Sequence, residues 1–244
     1  MKNVHIVFSY DGSKFVGYQI QNEGRTVQEE LIKAVEKING EKTKIDASGR
    51  TDRGVHALEQ NACFKTTRTM QESEWLKALN GLLPDDIYIK SVVFEKEDFH
   101  PRFDVKQKTY LYKINLGEYN PFERDYVYQL NKNIDLDKFI QASKLFIGKH
   151  DFRSFCSNEE AVDYSFEREI YDIKIEKSNE ILSVFITGSG FMRYMVRNII
   201  GTLLEIGLGK KDESIIVSRL DTFKKDITPY CAPGNGLYLY KVEY

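Results

Sequence analysis

The stretch Thr26–Gly40, TVQEELIKAVEKING, decides the kind of fold this chain can adopt. Thr26 and Glu29 have the S/T-x-x-E spacing of a capping box, in which the two residues satisfy each other's free backbone donors at a helix start. Val27, Leu31, Val35 and Ile38 recur at helical spacing and share one face. Asn39-Gly40 is a stop signal, because glycine enters the left-handed conformation that ends a helix without steric cost. The pattern predicts an amphipathic helix with one apolar side to cover.

The neighbouring segments supply the cover. Residues 4–10 alternate as a strand, with Val4, Ile6, Phe8 and Tyr10 on one face. After the helix come a strand near 42–47, a glycine-rich turn and a strand near 59–65. Ser73 is placed to cap a second helix with Trp75, Leu76 and Leu79 as its apolar side. Pro84 ends that region, and 87–94 (IYIKSVVF) reads as another strand. The order β-α-β-β-α-β is the ferredoxin-like arrangement, an antiparallel sheet with both helices on one face.

The second half repeats the theme. KTYLYKIN at 108–115 alternates Tyr110, Tyr112 and Ile114 with Thr109, Leu111 and Lys113. A helix near 136–147 lies between Asp135 and Gly148. Strands near 168–177 and 181–187, a long apolar helix near 191–206, a short helix near 213–220 and a last strand, GLYLYKVEY, follow. The expectation is an α+β protein of two similar ferredoxin-like halves, with a mostly antiparallel sheet and a cleft between them. Residues 1–105 form the N-terminal half and 106–244 the C-terminal half.

Composition narrows the class. The chain has 244 residues, 41% of them hydrophobic and 30% charged, as a globular protein has. Its net charge is −2, so no global basicity announces nucleic acid. The balance hides local bias, since His100–Lys113 and Thr187–Lys211 are both rich in Lys and Arg. A basic cleft on a near-neutral body fits this pattern. Cys63, Cys156 and Cys231 lack a C-x-x-C spacing, which favours a reduced, cytoplasmic protein without structural zinc. MKNVHIVFSY lacks the apolar core of a signal peptide. FMRYMVRNIIGTLLEIG is interrupted by Arg193, Arg197 and Glu205, so no membrane span is expected.

Three stretches can carry chemistry. ASGRTDRGVHA, Ala47–Ala57, sets Asp52 between Arg50 and Arg53 on a turn before a strand. Such a turn can be a simple connection in which Asp52 and Thr51 bond nearby amides. It can also hold one carboxylate in a fixed pose beside cations suited to a polyanion. In FMRYMVRNIIG, Arg193 and Arg197 stand four apart and so share a helix face, and an arginine buried in so apolar a helix needs a partner. That partner is either a structural acid or a catalytic carboxylate. In KTYLYKIN the tyrosines are either core or, facing a cleft, a stacking surface for a base. His56, His100 and His150 lie in unrelated segments without metal-ligand spacing. There is no P-loop, no G-x-G-x-x-G and no G-x-S-x-G.

Taken in order, these segments resemble the bacterial tRNA pseudouridine synthase A (TruA) family over nearly the whole chain. YDGSKFVGYQIQ (Tyr10–Gln21) is similar to the family's opening Y-D-G-x-x-F-x-G-W-Q, and SGRTDRGVHA (Ser48–Ala57) to its S-G-R-T-D-x-G-V-H-A active-site motif. GRTVQEEL, KTYLYKI, GKHDFRSFC, FMRYMVRNIIG and GLYLYKVEY lie in the family's sequence order. The resemblance implies that Asp52 is the catalytic aspartate and that Arg197 is the helix arginine paired with it. It implies that Arg50 helps displace the target nucleotide and that Tyr110 stacks on the target uracil. It further implies isomerisation of uridines 38, 39 and 40 in the anticodon stem-loop of tRNA, by a homodimer, without metal or cofactor. Departures are Arg53 where a small residue is common, Tyr18 for Trp, and APGNGL (Ala232–Leu237) for A-P-P-x-G-L.

The residues can do this chemistry. The target base leaves its stack at a cost of a few kcal/mol. Asp52 then attacks C1′ or removes the C2′ proton, and both routes require an ionised carboxylate. Two rivals are a non-catalytic RNA-binding module, which would need the absent RNP-type aromatic pattern, and a metal-dependent phosphodiesterase, which would need more carboxylates than residues 47–57 offer.

Overall fold

The computed structural model describes residues 1–157, 165–221 and 230–244. Its elements run β1 (Lys2–Tyr10), α1 (Val27–Asn39), β2 (Ile45–Ala47), β3 (His56–Thr66), α2 (Glu72–Leu82), β4 (Ile87–Glu95), β5 (Gln107–Asn115), β6 (Tyr128–Gln129), α3 (Leu136–Lys144), β7 (Gly148–Asp151), β8 (Glu167–Ser178), β9 (Ile181–Gly188), α4 (Met195–Gly207), α5 (Ser214–Asp221) and β10 (Leu237–Glu243). The protein is α+β with mostly antiparallel pairing. It divides into two compact units, Met1–Lys106 with Tyr238–Tyr244, and Gln107–Leu237.

In the first unit the strand order is β4-β1-β3, with β2 antiparallel on the far edge of β3. β1 runs antiparallel to both β3 and β4. This is the order the β-α-β-β-α-β reading requires. Val4, Ile6 and Phe8 are fully buried, as the alternation demands. Val4 pairs with Phe64, whose ring meets Trp75 of α2 edge-on at 5.1 Å. Burying each such side chain contributes about 1.5–3 kcal/mol. At a bulge in the β1–β4 pairing, the Asn80 side chain bonds both backbone groups of Ile89, at 3.0 and 2.8 Å. It satisfies groups that the irregular ladder would strand.

α1 starts at the Thr26 cap, whose Oγ1 accepts the Glu29 N–H, and it ends on Gly40 at φ 78°. The carboxylate of Glu29 pairs forward with Lys33 Nζ at 2.8 Å instead of closing the capping box. Val27, Leu31, Ala34 and Val35 are buried, while Ile38 is half-buried. The second helix differs from its expected start. Gln71 is its cap, with Glu74 Oε2 accepting the Gln71 N–H at 2.7 Å, and Ser73 lies inside the first turn.

In the second unit the order is β5-β9-β8-β7, all antiparallel, with β6 parallel on β5. β5, α3, β8, β9 and α4 repeat the first five elements of the ferredoxin-like pattern. By sequence β10 would close this half. Its residues from Tyr238 on group instead with the first unit, where Tyr238 and Leu239 pair in parallel with His56 and Ala57. β6 and β7 have no counterpart in the expected elements, being only two and four residues long. α4 begins at Met195 rather than near 191, because Tyr194 sits at φ 64° and cannot continue a right-handed helix. α4 is buried nearly all round, and among the described residues no helix is long and apolar enough to cross a membrane.

Candidate functional site

The turn carrying Asp52 is stitched to the loop that follows β1. Gly17 and Asp52 form an antiparallel bridge outside any strand. Tyr18 N–H donates to the Thr51 carbonyl at 3.0 Å, and Gly54 N–H to the Phe15 carbonyl at 3.4 Å. Tyr10 and Thr51 join their hydroxyls at 2.7 Å. Within the turn, Val55 N–H donates to the Asp52 carbonyl at 3.2 Å, and Gly54 takes φ 73°.

The same loop is fastened to α1. Val27 N–H donates to the Gly17 carbonyl at 3.3 Å and Gln28 N–H to the Tyr18 carbonyl at 2.9 Å. Arg25 clamps Asp86 through two bonds of 2.5 and 2.9 Å and lies over the Phe15 ring at 4.4 Å. On the other side, Gln60 receives the Ser48 hydroxyl at 2.7 Å and reaches the Gly49 carbonyl at 3.2 Å. Asp52 therefore stands on a backbone held from both sides, which is what a carboxylate in a fixed pose needs.

Exposure separates the charged residues. Arg50 and Arg53 are exposed, and Asp52 is half-buried. Behind them Tyr10, Tyr18 and Thr51 are buried. Burial pushes the Tyr10 phenol up to about 12, with hydrogen bonds from Thr51 and Gln60 acting against it. Burial raises the Tyr18 phenol as well, and its hydroxyl finds no hydrogen-bond partner among the described residues.

The second unit assembles its own set. Tyr110, on β5, is half-buried and meets Phe191 edge-on at 5.1 Å. That contact brings the Tyr110 strand beside the segment leading into α4. Tyr112 is buried and donates to the Pro233 carbonyl at 2.7 Å, so of the two tyrosines it is the core residue. Arg197 and Ala232 exchange bonds: Arg197 Nε–H donates to the Ala232 carbonyl at 2.7 Å, and Ala232 N–H to the Arg197 carbonyl at 3.0 Å. The guanidinium lies 4.8 Å over the Tyr194 ring, with Arg193 against the same ring at 5.0 Å.

Two expectations about this helix change. Arg193 precedes α4, so it does not share a helix face with Arg197. Arg197 is half-buried, whereas the deeply buried arginine is Arg219, 1% exposed, which donates to Thr202 at 3.3 Å. Gly201 explains how Ala232 comes so near α4, since a Cβ there would lie 1.6 Å from the Tyr230 carbonyl. Among the described residues, no three His, Cys, Asp or Glu stand together as metal ligands.

The model of a family described as tRNA pseudouridine synthase matches residues 6–104 and 142–244. Along the full chain, the sequence is 41% identical to tRNA pseudouridine synthase A of Anoxybacillus flavithermus, covering 100% of this chain and 99% of that one. It is 42% identical to tRNA pseudouridine synthase A 1 of Bacillus cereus, with 100% and 99% covered. Against the tRNA pseudouridine synthase A of Staphylococcus saprophyticus it is 39% identical, with 98% and 90% covered. The chain belongs to the tRNA pseudouridine synthase family.

Pseudouridine synthases are isomerases, and the residues of this synthase fall in two groups. Asp52 and Arg50 share one turn of the first unit, and Tyr110 and Arg197 belong to the second. Tyr10 and Thr51 brace the first group and Tyr194 lies under the Arg197 guanidinium, contacts that the sequence reading did not foresee. Alternation already marked Tyr10 as buried, but nothing local reveals that its hydroxyl meets Thr51, 41 positions away. The first unit offers one anchored carboxylate and exposed arginines for phosphate, and the second offers a half-buried aromatic ring for a base.

Proposed function

We propose that this synthase converts uridine to pseudouridine at positions 38, 39 and 40 in the anticodon stem-loop of tRNA. The observation that carries the reading is the 41% identity along the whole chain to a tRNA pseudouridine synthase A. The anchored turn around Asp52 supports it. In this reading residues 1–105 bring the carboxylate turn and residues 106–244 the arginine helix. Asp52 is the reacting carboxylate: it attacks C1′ and displaces uracil N1, or removes the C2′ proton so that the N1–C1′ bond breaks by elimination, and the freed uracil then turns and joins its C5 to C1′. Arg197 is the cation that favours its ionised form. Arg50 occupies the place of the flipped nucleotide and holds phosphate, and Tyr110 stacks on the extracted uracil. The enzyme works in the cytoplasm as a homodimer and needs neither metal nor cofactor.

The test is release of tritium from tRNA carrying C5-labelled uridine, since making the C5–C1′ bond expels the C5 hydrogen. Release is expected without added cofactor and in the presence of EDTA. It should fall stepwise as uridines 38, 39 and 40 are replaced by cytidine. No release refutes the activity, and full release from the triply replaced tRNA moves the target elsewhere.

A further inference from the structure

His56 follows Asp52 by four residues and is 2% exposed. Its Nδ1 accepts the backbone N–H of Gly12 at 3.0 Å. Its ring stacks on Tyr238 at 4.6 Å, with the planes 21° apart. Asp11 Oδ1 also lies 3.3 Å from Nδ1, and it accepts the Ser13 N–H at 2.9 Å. One ring nitrogen cannot serve both neighbours at once. A lone pair on Nδ1 receives Gly12, whereas a bond to the Asp11 carboxylate needs a proton there.

The backbone decides between them. A Cβ on Gly12 would lie 2.0 Å from the Val55 carbonyl, so Gly12 rests directly on the chain between Asp52 and His56. Gly12 is buried, and its N–H aimed at a protonated Nδ1 would be a buried donor facing a donor. The geometry selects the neutral ring with its proton on Nε2.

We propose that His56 is a positioning residue for Asp52. Its unprotonated Nδ1 pins Gly12, and through Gly12 the Asp11–Tyr18 loop, against the turn that bears the carboxylate. This inference rests on Asp52 being the reacting group.

Two variants separate the acceptor from the ring. His56→Phe keeps an aromatic ring to stack on Tyr238 but has no acceptor, whereas His56→Asn keeps an acceptor near Nδ1 and loses the ring. Because a reacting group misplaced by about 1 Å can cost about 100-fold, His56→Phe should lower kcat by that order. Its KM for tRNA should stay within about two-fold, the mark of a loss confined to the reacting state. His56→Asn should keep kcat within about ten-fold of the parent. The reverse ranking overturns the proposal. Long-range 1H–15N correlation on the unmodified protein at neutral pH needs no variant to fold. It should find Nε2 protonated and Nδ1 bare, and a proton on Nδ1 overturns the proposal as well. Asp52→Asn, measured alongside, keeps the two readings apart. If it turns over, the role of Asp52 fails whichever way His56 behaves. If it is inactive while the His56 ranking is reversed, only the positioning role fails.

Discussion

Gly17 and Asp52 pair as an antiparallel bridge although neither belongs to a strand. Gly17 takes φ 132°, and a Cβ there would stand 3.1 Å from the Thr51 carbonyl. Gly17→Ala should therefore strain the backbone by about 1–3 kcal/mol. Urea melts should show the loss, and turnover should drop by more than the unfolded fraction explains. Parental stability and rate in this variant would show that the bridge does not hold the turn.

Tyr10 and Thr51 carry the second tie. Tyr10→Phe removes a hydroxyl pair worth about 1 kcal/mol. Thr51→Val removes the other partner, so the double variant should be less destabilised than the sum of the singles. Additive losses in a double-mutant cycle would show that the 2.7 Å contact has no energetic coupling.

Tyr18 makes the opposite case. Its buried hydroxyl meets no partner among the described residues, so Tyr18→Phe removes only a desolvated polar atom. The melting temperature should hold or rise, by an amount that reflects about 1 kcal/mol. A clear fall would reveal a bond to that hydroxyl.

Alkali should unfold the protein progressively. Burial raises the Cys63 thiol from 9.0 to about 12 and the Tyr10 phenol from 10.0 to about 12. The folded state holds these protons after the unfolded chain has released them, so folding stability falls as pH rises. The contribution of both groups is complete below pH 9 and is lost between 9 and about 12. Chemical denaturation from pH 7 to 11 checks this. Cys63→Ala should flatten the onset near pH 9, and an unchanged profile would assign the onset to other groups.

The roles proposed for Asp52 and Arg197 give distinct outcomes. Asp52→Asn should abolish turnover and leave tRNA binding within about three-fold, because an amide neither attacks C1′ nor takes a proton as a carboxylate does. Arg197→Lys keeps the charge but loses the Nε bond to the Ala232 carbonyl and the flat stack over Tyr194. Its rate should drop by about ten-fold, and Arg197→Met should be slower still. A lysine variant at parental rate would reduce the role of Arg197 to charge alone.

The amino-acid sequence by itself determined the local elements and their order. The apolar spacing of Val27, Leu31 and Val35, the Thr26 cap, Gly40 and the alternation along β1 each involve residues within a turn or a pleat of one another. Those interactions are written in adjacent positions, so periodicity exposes them. The motif around Asp52 was legible for the same reason, as a short run of turn formers and charges. Tertiary structure alone decided what each segment meets. It fastened residues 10–18 onto residues 51–56, made Arg219 rather than Arg197 the buried arginine, and grouped Tyr238–Tyr244 with the first unit. It also turned Tyr194 to positive φ and so moved the start of α4. These outcomes depend on packing between residues tens of positions apart, where a carbonyl such as that of Val55 or Tyr230 leaves room for glycine alone. No local pattern encodes that room, because it exists only once the distant backbone has arrived.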